Sequence, residues 1–166
     1  MTSAQQPHPC LSGSPHSASV ILSAGRGLQN RQCFEKMLLL ADRLHAQAVG
    51  TRGTLDQGWL PDNREVGLSG LRLTPDIYLA FGVAGANFHT IGMYRSVFIL
   101  AVNIDPKARI FRLADFCVFA EAEPVLDDLL EGLPENGLEN VDEIREYVLS
   151  RVRKYPHKIN DVRIND

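Results

Sequence analysis

This sequence predicts an α/β fold built on a parallel sheet, and three observations lead there. Apolar runs of strand length alternate with stretches whose apolar residues recur at helical spacing. Several runs, above all "SVFILAVN" at 96–103, are apolar at consecutive positions, so both of their faces must be covered. Most runs also empty into turns rich in glycine and small residues, as strands do when they feed crossover connections. The expected architecture is a three-layer, Rossmann-like parallel sheet over residues 19–133.

The first strand is read at Ser19–Ser23, ending in the glycine turn of "SAGRG". Residues 31–45 follow as a helix, with Phe34, Met37, Leu38, Ala41 and Leu44 on one face and Asn30 as its N-cap. "AQAVG" (46–50) is a short second strand, and "TRGTLDQGWL" a turn into a brief helical or irregular piece. Glycine-punctuated segments occupy 64–73 around "EVGLSG". "DIYLAFG" is a strand, 86–92 a short helix, 96–103 the most apolar strand, and "DFCVFA" (115–120) the last sheet strand before a helix near 123–131. "GLPENGLEN" reads as a linker. Beyond it, "NVDEIREYVLSRV" carries an N-x-x-E capping box (Asn140, Glu143) and a stripe of Ile144, Tyr147, Val148 and Val152. That helix packs its stripe on the sheet layer, or serves as part of a partner-binding tail over 134–166.

Composition narrows the classes. With 166 residues, 45% hydrophobic and 22% charged, the chain suits one globular domain with appendages. A net charge of −3 supplies no basic field for nucleic acid. No apolar run approaches the roughly 20 residues of a membrane span. Residues 1–17 contain no Lys, Arg, Asp or Glu and no apolar core, so 1–18 reads as a flexible leader and not a signal peptide. Charge is lopsided later on: 121–143 holds nine acidic groups and no Lys or Arg, whereas the last sixteen residues hold five Lys or Arg against two Asp. Cys10, Cys33 and Cys117 are too scattered for a disulfide framework or a zinc site and point to reduced thiols in a cytoplasmic setting.

In open α/β sheets ligands bind beyond the carboxyl ends of strands, and the unusual residues of this chain gather at those ends. The first strand ends with Arg26 and Gly27, the second with Thr51 and Arg52. The segment "VGLSG" supplies Ser69 and Gly70, "GVAGANFH" supplies Gly82, Gly85 and His89, and "VNIDP" supplies Asn103 and Asp105. Small residues let backbone approach a ligand, arginines neutralise phosphate, and hydroxyl and amide groups suit polar ring edges. Singly each has a plainer reading: His89 as a core or helix-face histidine, Arg26 as a surface charge, Asp105-Pro106 as a turn, Asp115 as a turn cap. Neither G-x-G-x-x-G nor Walker A is present. No acid–base pair or nucleophile arrangement suggests substrate chemistry.

Taken in order, "SAGRG" (23–27), "VGTRG" (49–53), "VGLSG" (66–70), "GVAGANFH" (82–89), "VNIDP" (102–106) and "IFRLADF" (110–116) resemble the FAD-binding, carboxyl-terminal domain of the electron transfer flavoprotein α subunit, from about Val20 to Leu133. The resemblance implies extended FAD across the sheet ends, and an electron carrier between a dehydrogenase and an acceptor. It implies Arg26 near the flavin phosphates, Thr51 at the diphosphate, and Arg52 beside the isoalloxazine ring. Ser69 would bond near N5, His89 would sit by the O2 edge, and Asn103 and Asp115 would hold the adenosine half. A β-type subunit or a dehydrogenase is the implied partner. Three polar positions of the family pattern are apolar here, as Leu68, Ala84 and Ile104, and the family's amino-terminal domain has no counterpart in this sequence. The alternative is a degenerate flavodomain that binds FAD or an adenine nucleotide as an interaction or regulatory module.

Overall fold

A computed structural model of the chain describes residues 8–161. Its centre is a six-stranded sheet in the order β2-β1-β3-β4-β5-β6, with β1 Val20–Ala24, β2 Gln47–Gly50, β3 Ile77–Phe81, β4 Phe98–Val102, β5 Phe116–Val118 and β6 His157–Ile159. The first five strands are parallel, and β6 runs antiparallel along β5. The parallel α/β expectation holds. β6 has no counterpart in the sequence reading, because "HKI" has exposed side chains and no apolar alternation.

Consecutive apolar positions are explained by burial on both faces. From β1, Val20, Leu22 and Ala24 join one core while Ile21 joins the other; from β3, Ile77, Leu79 and Phe81 face the first, Tyr78 and Ala80 the second. The first core is covered by α1 (Arg31–Arg43), α4 (Ala122–Glu131) and α5 (Val141–Val152). The second is covered by loops, the short α3 (Asn87–Thr90) and a 3₁₀ turn at Arg109–Arg112. A further short helix, α2 (Arg52–Asp56), follows β2. Asn30 caps α1 by accepting from Cys33 N–H at 2.9 Å, and Asn140 caps α5 by accepting from Glu143 N–H at 3.0 Å.

The stripe of α5 is spent on the first core: Ile144, Val148 and Val152 are buried, and Tyr147 donates its hydroxyl to the Leu129 carbonyl of α4 at 2.5 Å. The stripe of α5 is thus buried against the sheet layer. The stretch read as a linker docks as well, with Leu138 N–H donating to the Arg43 carbonyl at 3.0 Å.

The leader expectation fails for residues 8–18; residues 1–7 lie outside the described residues. Two 3₁₀ turns, Pro9–Leu11 and Pro15–Ser17, lie in this segment, and Cys10 is wholly buried. The physical reason is that the segment needs no charges of its own. Asp42 accepts from Cys10 N–H at 2.9 Å, Gln47 donates to the Pro9 carbonyl at 3.2 Å, and Arg64 donates to the Gly13 carbonyl at 2.8 Å. Arg64 is itself buried, tied also to Gln47 Oε1 at 3.0 Å.

Candidate functional site

The strand order reverses between β1 and β3: the chain moves outward to β2 on one side and to β4 and β5 on the other. Crossovers diverge at such a point and leave a crevice at the carboxyl edge. A cleft of about 730 Å³ lies there, within the range of small-molecule sites. Its walls come from the turns after β1 (Arg26, Gly27), β2 (Thr51 to Gly53), β3 (Gly82, Ala84 to Ala86) and β4 (Asn103, Asp105, Lys107 to Arg109). The loop 65–69 closes one side and His89 and Phe88 another.

Ten of the twelve residues singled out in the sequence line this cleft: Arg26, Gly27, Thr51, Arg52, Ser69, Gly82, Gly85, His89, Asn103 and Asp105. Gly70 stands beside it, where its N–H donates to the Gly67 carbonyl at 3.1 Å. Asp115 is elsewhere. It precedes β5, at the amino edge of the sheet, and its carboxylate accepts from Ile99 N–H at 2.8 Å, clamping the starts of β4 and β5. The motif "LADF" places Asp115 before its strand, so it cannot share an edge with residues that follow theirs. The carboxyl end of β5 leads instead to Glu121, the N-cap of α4.

The glycines that line the cleft also pack against the chain itself. A Cβ at Gly82 (φ +67°) would lie 2.6 Å from the Cα of Gly27, and one at Gly85 (φ +88°) 2.2 Å from the Ile110 nitrogen. Gly27 N–H donates to the Gly82 carbonyl at 3.0 Å. The small residues after β3 thus admit the turns after β1 and β4, backbone against backbone, and let the cleft walls meet.

The polar groups divide into free and committed ones. The stem and guanidinium of Arg26 lie across Gly53, and no ion pair engages Arg26 among the described residues. Arg52, 75% exposed, pairs with Asp56 at 3.3 Å and Glu65 at 3.7 Å. Ser69 donates at 3.5 Å to the same Glu65 carboxylate, which is only 13% exposed. Asn103 donates to the Val83 carbonyl at 3.0 Å and accepts from Asp105 N–H at 2.9 Å, so it builds the turn after β4.

His89 is buried, its Nε2 is 2.9 Å from the Tyr78 hydroxyl, and its Nδ1 has no hydrogen-bond partner. Burial drives its pKa down to about 4, opposed by the Val66 backbone, which lies near the ring without completing a hydrogen bond. His89 is therefore a neutral imidazole at physiological pH, not the partly charged group that an exposed histidine would be.

Glu65, Lys107 and Arg109 were missed as site residues. The latter two were legible as cations two apart just after a strand-ending Asp-Pro turn, "DPKAR"; for Glu65, which precedes "VGLSG", only the fold shows that it faces inward. Together the lining side chains bring four cations (Arg26, Arg52, Lys107, Arg109) against two carboxylates (Glu65, Asp105). The excess of two positive charges matches the charge of a diphosphate. Of the apolar departures, Leu68 and Ala84 line the cleft, whereas Ile104 is exposed outside it.

A cationic cleft at the switch point of a parallel α/β sheet defines a dinucleotide-binding type of domain. Among known families, residues 16–94 match the electron transfer flavoprotein FAD-binding domain. The chain is 42% identical over 118 residues to the mitochondrial electron transfer flavoprotein subunit alpha of Oryza sativa subsp. indica, covering 71% of this chain and 33% of that protein. The Arabidopsis thaliana subunit is 39% identical over 119 residues (72% and 33%), and that of Pseudomonas aeruginosa 37% over 118 residues (71% and 36%). This chain resembles the FAD-binding domain of the electron transfer flavoprotein α subunit, as its motifs indicated, and it spans about a third of the length of these relatives.

His8, Cys10 and Asp42 bring potential metal-ligand atoms within 4.8 Å of one another, but Asp42 is already engaged by His8 and by Cys10 N–H. Among the described residues no helix is long and apolar enough to cross a membrane.

Proposed function

We propose that the chain binds FAD in the switch-point cleft and acts as an electron-carrying domain between a dehydrogenase and an acceptor, making and breaking no substrate bonds itself. The observation that carries this reading is the cationic excess lining a cleft at the carboxyl edge, whose walls up to His89 fall within residues 16–94, the stretch matched to an FAD-binding domain. When bound, FAD supplies the ring that accepts and returns electrons. The protein's part is binding and electrostatics. Arg26, free of ion pairs among the described residues, together with Lys107 and Arg109 of the lining, neutralises the diphosphate. Thr51 lines the same wall. The hydroxyl of Ser69 offers a hydrogen bond to the ring, His89 lines the cleft as a neutral imidazole, and Arg52 shares its charge with Glu65 and Asp56, which weakens its pull on a reduced ring.

A β-type subunit or a dehydrogenase is the proposed partner, supported by relatives named as alpha subunits and by Phe88, 72% exposed beside the cleft. Cys10, Cys33 and Cys117 are all free thiols, which supports a reducing compartment such as the cytoplasm.

The second reading, a weak nucleotide-binding module, draws on Glu65, Leu68 and Ala84 in the cleft, where they oppose or fail to hold an anionic ligand. Titration of the purified chain with FAD and with AMP, followed by visible flavin absorption and calorimetry, separates the two. The carrier reading expects saturable FAD binding with a perturbed flavin spectrum and a reversible redox titration. Equal, weak binding of FAD and AMP would favour the module.

A further inference from the structure

Away from the cleft, four side chains able to bind or orient a metal ion meet where the leading segment packs on α1. The 3₁₀ turn Pro9–Leu11 carries His8 and Cys10 to that helix, which presents Glu35 and, about two turns further on, Asp42. One donor atom each from His8, Cys10 and Asp42 lies within 4.8 Å of the other two. Cys10 is wholly buried, whereas the side chains of His8 (32% exposed) and Asp42 (17%) reach solvent, so the cluster has a buried floor and an open mouth. None of the four residues lines the cleft.

The contacts around the cluster are of the kind that orient metal ligands. His8 turns Nδ1 to Asp42 and Nε2 to Glu35, 3.5 Å away. A ligating imidazole characteristically gives its other N–H to a carboxylate, which fixes its tautomer and ring plane, and Glu35 stands in that place. Asp42 divides its oxygens in the same way: Oδ1 accepts from Cys10 N–H at 2.9 Å and Oδ2 faces the His8 ring. Metal–ligand bonds of about 2.0–2.3 Å in a tetrahedral shell hold donor atoms about 3–4 Å apart. Small rotations of His8 and Asp42, both only partly buried, reach that spacing and replace the proton they share by a cation. A second observation concerns charge. Arg64 is buried with its Nη1 3.4 Å from the Cys10 carbonyl, and no carboxylate pairs with it among the described residues. A thiolate at Cys10 would therefore have a buried compensating charge beside it.

We propose that His8, Cys10 and Asp42 form a binding site for a zinc-class divalent cation, with Glu35 as the outer partner of the histidine and a fourth position open to solvent. The donor set selects the metal: one nitrogen, one thiolate sulfur and one oxygen suit zinc, whereas magnesium and calcium take oxygen. The Cys10 thiol, which donates to the Leu38 carbonyl at 3.5 Å, loses its proton to solvent as the metal–sulfur bond forms. The bound ion pins residues 8–10 to the last turn of α1. Cysteine spacing hides such a site, because a single cysteine suffices and the carboxylate comes from a helix 32 residues later.

The test titrates cobalt(II), which reports thiolate ligation by a near-ultraviolet charge-transfer band, into the reduced full chain and then adds zinc in competition. The parent should bind a single equivalent with that band, and zinc should displace it. Cys10→Ser should lose the band, and Cys33→Ser, which removes a thiol outside the cluster, should keep it. Glu35→Gln should weaken cobalt binding about 10–100-fold, and His8→Ala by more than that. His8 and Glu35 are partly exposed, so these two variants keep the test decisive if Cys10→Ser fails to fold. A parent without the thiolate band overturns the proposal, as does a band that survives Cys10→Ser or an affinity unmoved by His8→Ala.

Discussion

Replacing Gly82 by alanine tests whether the small residues after β3 serve the chain or a ligand. Gly82 has φ +67°, and an added Cβ would sit 2.6 Å from both Cα and C of Gly27 and 2.7 Å from the Leu28 nitrogen. All three are backbone atoms, so no side chain can swing away. The left-handed conformation costs a non-glycine residue about 1–2 kcal/mol, and forcing extra volume into packed backbone about 1–3 kcal/mol more. Gly58 is the internal control: at φ +78° it carries the same backbone strain, but its Cβ would meet nothing within 4 Å. Gly58→Ala should therefore lose only about 1–2 kcal/mol, and Gly82→Ala about 2–5 kcal/mol. For a chain of this length each kcal/mol lowers Tm by about 2–4 °C, so the two variants separate by several degrees in paired urea and thermal unfolding. If Gly82→Ala unfolds with Gly58→Ala and differs from it only in weakened FAD binding, the packing explanation is wrong and the glycine serves the ligand.

Acid should weaken the fold through His89. Its pKa in the folded protein, about 4, lies below the ordinary 6.5, so the unfolded chain takes up a proton first as pH falls. The stability that rests on neutral His89 is intact above pH 6.5 and lost between about 6.5 and 4, up to about 3 kcal/mol; denaturation of His89→Gln should show a flatter profile over that window. Arg64→Ala removes a buried guanidinium that holds the Gly13 carbonyl and Gln47. We expect a loss of about 2–4 kcal/mol and early proteolytic cleavage within residues 8–18, against resistance there in the parent. Because Leu68 lines the cleft and Ile104 does not, Leu68→Gln should tighten FAD binding measurably in calorimetry and Ile104→Lys should leave it within about twofold.

Burial on both faces made the parallel strands legible as continuous apolar runs, and the capped helices announced their ends through Asn30 and Asn140. Residues 8–18 were misread because composition counts side-chain charge, whereas this segment is held by its own backbone groups meeting Asp42, Gln47 and Arg64, residues 32 to 51 positions away from those they bind. The cleft was legible to the extent that its residues follow strands. Asp115 was misassigned because it precedes one, and Glu65 was overlooked because only the folded loop turns its carboxylate toward Arg52 and Ser69. Motifs of glycine show that two surfaces approach closely, but not whether the second belongs to a ligand or to the chain.

The antiparallel pairing of β6 on β5 carries a consequence for biogenesis. In register Phe116↔Ile159, Cys117↔Lys158 and Val118↔His157, this strand caps the outer side of β5 with residues made some forty positions later. While a ribosome is still extending α5, the nascent sheet has a bare parallel rim whose amide and carbonyl groups can template onto another emerging chain. Removing residues 157–159 would recreate that rim in the finished protein, so aggregation yield should respond to this tripeptide far more than its small buried area would suggest.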